Sequence, residues 1–522
     1  VVVDRYLTAA VAVKPNRTEE DQYGEGHDGF IERRVESWKM TLVRYLEGIV
    51  LCGIVIVSLG IAAVSLRRRS LSTWSGAPAR LAELIIAISL VVVVSQALGT
   101  VGLFRIGPLV IALVLIALLS YWAGRSGARV PESLTASAEP STGVSPRRQE
   151  AWWEPVAAIL AVSLVAAEWG AGTIRAFQYG VSGIDSLWYH MPISAAFVQS
   201  GSVATLHNIN NDNVIEFYPA TSELLHAVGI LLLGSDLLSP LVNAMWLGLA
   251  LFAAWCIGRR YGVGSLTTMA AALVLGTTEV IADEPGTAYN DLVGTALILA
   301  ALALLAYVGV PWGRRGHIRG LWTVALAAGL AIGVKDTFVF PVAALTIGVI
   351  VVLPKGQRAR QGLVWCVFVA VTGGFWYGRN LVYAGNPVPN VRLGVGSFRL
   401  PSSPATVGRT IARFLFNGQA WKSFFLPGLP QALGPAWLAL VVIAAAGLLA
   451  GAVAGVRWTR RTLQASRTDD VLRAQPIEAN RDSAPVVGFL ALVGIATLLG
   501  YLVTPQPNLP ESFVYDLRFS LL

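Results

Sequence analysis

Apolar residues along this chain fall in runs of about 20, separated by short polar or basic stretches; that is the length a helix needs to cross roughly 30 Å of hydrocarbon at 1.5 Å per residue. The runs predict helices at about 43–66, 81–100, 106–123, 153–174, 236–257, 263–282, 291–310, 321–334, 337–353, 362–376, 434–456 and 485–503. The expected fold class is all-α, a polytopic transmembrane helical bundle of about 12–13 spanning helices with short interfacial helices in its outer loops.

The basic residues alternate with the helices. Loops after the first, third, fifth, seventh, ninth and eleventh runs carry Arg67–Arg68–Arg69, Arg125 with Arg147–Arg148, Arg259–Arg260, Arg314–Arg315, Lys355 with Arg358 and Arg360, and Arg457 with Arg460–Arg461. All lie on one side, and the positive-inside rule makes that side the cytoplasm. The loops 175–235, 283–290 and 377–433 then face outward. Residues 1–42 form a polar N-terminal tail, outward or belonging to a start upstream of Met40. Residues 43–123 form accessory transmembrane helices able to dock a membrane partner. The Pro- and Ser-bearing stretch 124–151 reads as a cytoplasmic linker. Residues 152–522 make the functional module, which is expected to be incomplete at its C-terminus because an apolar run opens at Phe519.

Composition agrees with the pattern. Of 522 residues, 55% are hydrophobic and 13% charged, against about 25% charged in soluble domains, which excludes an ordinary cytosolic enzyme. The net charge of +8, from 39 basic and 31 acidic residues, sits in the inner loops and signals topology, with no nucleic-acid partner. Cys52, Cys256 and Cys366 lie inside apolar runs, so neither a disulfide framework nor a zinc knuckle is available.

Ionisable residues near apolar runs are costly and therefore informative. Four groups gather on the outer side. The first is Asp185 with Tyr189, His190 and Pro192, followed by a stretch from Ile193 to Ser200 that Gly201 should stop, giving a helix lying along the membrane surface. The same loop continues through His207 and Asp212 to Glu216, Tyr218, Pro219 and Glu223, and the apolar run 224–234 is too short to span and should dip into the interface. His190, His207 and His226 are spaced by 17 and 19 residues, which matches no metal-site signature; no metal ligands are assigned. The second group runs from Asp283 and Glu284 to Asn290 and Asp291, where Asp291 serves either the site or the cap of the next helix. The third is Lys335–Asp336, reached by a helix too short to cross, so that Lys335 should point into a cavity suited to an anion, unless it pairs with Asp336 or snorkels outward. The fourth is Arg379–Asn380 before the turn Gly385–Asn386–Pro387. Arg518 is a last outward cation. A carboxylate can deprotonate an acceptor hydroxyl while cations neutralise a phosphate leaving group.

In the order of these residues and their side of the membrane, the segment 153–522 resembles the GT-C superfamily of multi-spanning glycosyltransferases and is similar to protein O-mannosyltransferases and the lipid A aminoarabinose transferase, nearest in pattern to uncharacterised actinobacterial-type members. The resemblance rests on Asp185 with Tyr189, His190 and Pro192, on Tyr218, Pro219 and Glu223, on Asn290–Asp291, on the helix end at Lys335, and on Arg379–Asn380 with Gly385–Asn386–Pro387. It implies a polyprenyl-phosphate-linked sugar as donor, a glycan, lipid or protein acceptor outside the plasma membrane, and inversion at the anomeric carbon. Asp185 matches the loop acid that serves as general base, and Lys335, Arg379 and Arg518 would meet the phosphate. Many relatives carry Asp-Glu where this chain has Asp185–Ser186, so a divalent cation stays open and no cofactor is assigned. Two other readings stay open: a transporter or flippase for an anionic or lipid-linked solute, which needs ionisable residues through both leaflets, and a non-catalytic subunit that keeps the fold.

Overall fold

A computed structural model describes residues 42–126, 148–207, 209, 215–308, 320–395, 397–402, 409–465, 483–506 and 509–520. The polar tail before Leu42, residues 127–147 of the linker, Asp212, Arg314–Arg315 and the polar stretch 466–482 lie outside the described residues.

Every predicted run is helical. We label the helices α1 Leu42–Ser70, α2 Ala77–Thr100, α3 Ile106–Ser126, α4 Trp153–Tyr179, α5 Met191–Ser200, α6 Thr221–Leu233, α7 Ser239–Arg259, α8 Gly264–Thr277, α9 Asp291–Val308, α10 Leu321–Ile332, α11 Val339–Val352, α12 Arg358–Ala384, α13 Leu426–Leu433, α14 Trp437–Ala465, α15 Ala484–Val503 and α16 Phe513–Asp516. The protein is an all-α polytopic bundle, relieved among the described residues by one small hairpin pairing Gly394–Val395 with Phe398–Arg399. Nine described helices, α1–α4, α7, α9, α12, α14 and α15, are long and apolar enough to cross a membrane. The runs at 263–282 and 337–353 are expected to span but yield shorter helices, and 321–334 yields the short helix its length predicts. α8 has 14 residues, a rise of about 21 Å, because Thr278 turns extended and a 3-10 turn follows at Glu279–Ile281.

The core is built around α9, of which 89% lies inside the protein. α7 and α10 pack on it, and the same apolar core takes in Leu81, Ile85 and Val92 of α2. The three N-terminal helices thus share one core with the helices after residue 152. By contrast, α3 and α14 leave most of their apolar surface outside the protein, as suits helices facing hydrocarbon. α14 meets α15 where Gly455 lies against Gly488: a Cβ on Gly455 would stand 2.9 Å from the Gly488 backbone, the close approach that small residues allow between apolar helices.

Two short helices, expected to lie in the membrane interface, are largely covered by other helices. α5 buries Met191 to Ala195 and Phe197 and packs on α6, which is buried along nearly its whole length. Both are internal elements of the bundle, since their apolar residues point at other helices.

Candidate functional site

Asp185 directly precedes a π-helical turn, Ser186–His190, that leads into α5. Such wide turns re-aim side chains and recur at functional sites. Gly183, with φ of 95°, brings the preceding loop against Tyr289: a Cβ there would stand 3.0 Å from the phenol oxygen. Ser186 Oγ accepts from the Ala288 amide at 3.0 Å, joining the Asp185 turn to the loop that enters α9.

Four loops then meet. The Arg518 guanidinium donates through Nη2 to Asp185 Oδ2 at 2.6 Å, and its Nε stands 3.5 Å from Asp291 Oδ2. Lys335 Nζ donates to Asp291 Oδ1 at 2.6 Å. Asp185, Asp291 and Arg518 are buried, whereas the Lys335 side chain keeps 19% of its surface exposed. Arg518 also lies over the Tyr289 ring, 5.3 Å from its centre. The result is a continuous chain of charge, Asp185–Arg518–Asp291–Lys335.

Asp291 does not act as a helix cap. Its carboxylate is engaged by the two cations, and the side chain that accepts from the first turn of α9 is Glu284, whose Oε1 takes the Leu292 amide at 3.3 Å. Lys335 likewise pairs with Asp291 rather than with Asp336, which accepts from Asn390 at 3.2 Å. The backbone at the end of α10 is fixed from three directions: Thr221 N–H donates to Gly333 O, Asn290 Nδ2 to Val334 O, and Tyr377 Oη to Ile332 O.

His190 and Glu223 form a second buried pair, Nδ1 to Oε1 at 2.5 Å, next to the first. Tyr189 lies against His190, with ring centres 4.0 Å apart, and meets Tyr218 edge-on at 6.2 Å. Arg379 and Asn380 have other work. Arg379 Nη2 donates to Glu216 O at 2.6 Å and to Asn380 Oδ1 at 3.1 Å, its guanidinium stacks over Trp376 at 4.9 Å, and Asn380 Nδ2 donates to Phe217 O at 2.7 Å. They hold the Glu216–Phe217 backbone, whereas Lys335 and Arg518 meet at Asp291. Burial pushes the Glu216 carboxyl above its ordinary value, with Arg379 opposing.

Three contributors are given no role of their own in the sequence reading. Asn243, fully buried in α7, donates to Glu284 O and Oε2 at 3.0 Å and to Tyr289 O at 3.1 Å, shaping the loop that carries Asp291. A lone Asn within an apolar run is the signal that could have found it. Glu284 stands beside Asp291, and burial, then the Asp291 charge, push its carboxyl up to about 8. Tyr289 links Arg518 to the Gly183 turn.

Among the described residues no group of three or more His, Cys, Asp or Glu side chains is arranged to hold a metal ion. The carboxylates Asp185 and Asp291 face cations, a donor set that does not fit a divalent ion. Asp185 and Asp291 oppose Arg518 and Lys335 in the cluster. Comparison with protein-family models, with curated proteins and with solved structures gives no match.

Proposed function

We propose that the chain is an integral membrane glycosyltransferase that moves a sugar from a polyprenyl-phosphate donor to a glycan, lipid or protein acceptor, with inversion, at a site outside the plasma membrane. The observation that supports it is the buried chain Asp185–Arg518–Asp291–Lys335, gathered at the end of the bundle opposite the arginine-rich loops. Positive loops orient toward the cytoplasm, which supports a position of the cluster at the outer face.

In this reading the acceptor oxygen attacks the anomeric carbon as the bond from that carbon to the phosphate oxygen breaks. Asp185 takes the acceptor proton, and the polyprenyl phosphate leaves with the bonding electrons. Arg518 and Lys335 stabilise the charge that develops on the leaving oxygen. The ion pairs matter to this chemistry: a phosphate reaching Lys335 competes with Asp291 for it, and a base needs a fixed direction, which Arg518 supplies to Asp185. Tyr189, His190, Tyr218 and Glu223 flank the site and would contact the sugar or acceptor.

The test is transfer by the purified full chain in lipid nanodiscs, offered a polyprenyl-phosphate sugar, with Asp185→Asn beside wild type. Loss of a general base reduces turnover by about 10²–10⁴-fold. Full transfer by Asp185→Asn removes Asp185 as the base. Flux of an anionic solute into proteoliposomes, abolished by Lys335→Met and without sugar transfer, replaces the enzyme with a transporter.

A further inference from the structure

Two arginines of the N-terminal helices make the same contact at two places. The last four carbonyls of a helix have no partner within it. At the end of α5, Arg105, from the turn between α2 and α3, donates through Nη1 to Val198 O at 2.6 Å and Gln199 O at 3.2 Å, and through Nη2 to Gln199 O at 3.2 Å and Ser200 O at 3.1 Å. The helix closes on Gly201, with φ of 71°, whose amide returns to Phe197 O at 3.0 Å. A Cβ at position 201 would stand 2.7 Å from the guanidinium carbon, so glycine is needed there both for the backbone turn and for Arg105. The Phe104 amide donates to Gly201 O and the Val203 amide to Gly99 O, each at 3.0 Å.

α6 ends in the same way. Gly234, with φ of 74°, returns its amide to Ile230 O at 2.8 Å, and Arg44 of α1 donates to Leu232 O at 3.4 Å. A Cβ on Gly234 would approach Arg44 Nε to 3.3 Å. In each case a cation from the N-terminal helices lies at the negative end of a helix dipole: Arg105 bonds three terminal carbonyls, and Arg44, which also pairs with Glu47 at 3.0 Å, bonds one.

The helices so capped carry the candidate site. α5 continues the π turn that begins after Asp185, and α6 bears Glu223, the partner of His190. We infer that the three N-terminal helices are a positioning unit for the site, with Arg105 and Arg44 fixing the far ends of α5 and α6 so that the Asp185 turn and the His190–Glu223 pair keep their register. Neither arginine contacts the charge cluster; each acts through a helix. The inference rests on the reading of Asp185 as the group that acts on the acceptor.

The test is amide hydrogen exchange on the full chain in nanodiscs, run beside sugar transfer. Arg105→Ala is expected to speed exchange over 186–203 by about three- to tenfold, the scale of a lost helix-end interaction, and to lower kcat by a similar factor at unchanged KM. Arg105→Lys, which keeps the charge without the fork, should restore part of both. Arg44→Ala should show the same over 221–234. Unchanged exchange at 186–192 in Arg105→Ala, or faster exchange with unchanged turnover, overturns the inference. Arg105→Gln serves where the alanine variant does not accumulate in membranes. If wild type transfers no sugar, the transferase reading fails separately, and exchange at 186–192 still decides whether the N-terminal helices hold the Asp185 turn.

Discussion

At the arginine-rich end of the bundle, Glu83 is held by Arg67 at 2.8 Å and Arg80 at 2.6 Å, and Glu154 by Arg148 at 2.7 Å. At the other end, Asp185 is held by Arg518 and Asp291 by Lys335, each at 2.6 Å. The distances are alike, but the chain separations are not. Arg67 and Glu83 are 16 residues apart and Arg148 and Glu154 are 6, whereas Lys335 and Asp291 are 44 apart and Arg518 and Asp185 are 333. The first kind of pair closes a local stretch of chain, between neighbouring helices for Arg67–Glu83 and at the start of α4 for Arg148–Glu154. The second assembles only after the whole bundle has packed. Buried ion pairs contribute little net stability compared with apolar contacts of the same size, so a cluster brought together from four distant loops is poorly explained as a stabilising device. That contrast separates topological charge from site charge.

The sharpest way to break the contrast is to neutralise one acid at each end. Asp185→Asn should lower sugar transfer by about 10²–10⁴-fold, while Glu83→Gln should leave transfer unchanged in the same nanodisc assay; equal losses would erase the distinction. Next in size, Lys335→Met leaves Asp291 with one cation fewer and should destabilise the detergent-solubilised protein by about 3 kcal/mol. Adding Asp291→Asn to it should recover part of that loss in a thermal-unfolding double-mutant cycle, and strict additivity would show that the pair is not coupled.

Glu284 gives a pH-dependent test. Its carboxyl is raised from 4.5 to about 8 in the folded protein by burial and by Asp291, with Arg518 and Lys335 opposing. A raised folded value means that its contribution to stability is complete below 4.5 and is lost as pH rises through about 8. Melting temperature should therefore fall across that window, and Glu284→Gln should flatten the slope. The smallest expected effect is at the arginine-rich end: Arg80 is 56% exposed and its loss leaves Glu83 paired with Arg67, so Arg80→Gln should change stability by at most about 1 kcal/mol with no change in transfer.

Much of this was legible in the sequence, for identifiable reasons. Each of the twelve apolar runs coincides with a helix because hydropathy is a property of a local stretch. The ends were less legible. α12 extends to Ala384, past the predicted 376, because Tyr377, Arg379 and Asn380 stay helical while their polar groups bond to Ile332, Glu216 and Phe217; a polar residue that finds a partner does not end a helix. Asp185, Asp291, Lys335 and Arg518 stood out singly as outward charges. Their pairing did not, nor did the bonds of Arg379 to Glu216 and Asn380, because one chain read in order carries no record of which loops meet. Glu284 was named only within its group and Asn243 not at all, since their roles are toward each other and toward backbone groups of the Asp291 loop.

The sequence by itself determined that this is a helical membrane protein, which of its loops are basic, and which few polar residues lie near apolar runs. Those properties follow from a helix's length and from the free energy of moving side chains into hydrocarbon, both of which accumulate residue by residue. Only the tertiary structure decided that Arg518 holds Asp185, that Glu284 supports the start of α9 in place of Asp291, and that Arg44 and Arg105 close the helices beside the site. An ion pair or a helix cap requires atoms to lie within about 4 Å, and packing around α9, not spacing along the chain, determines which atoms do.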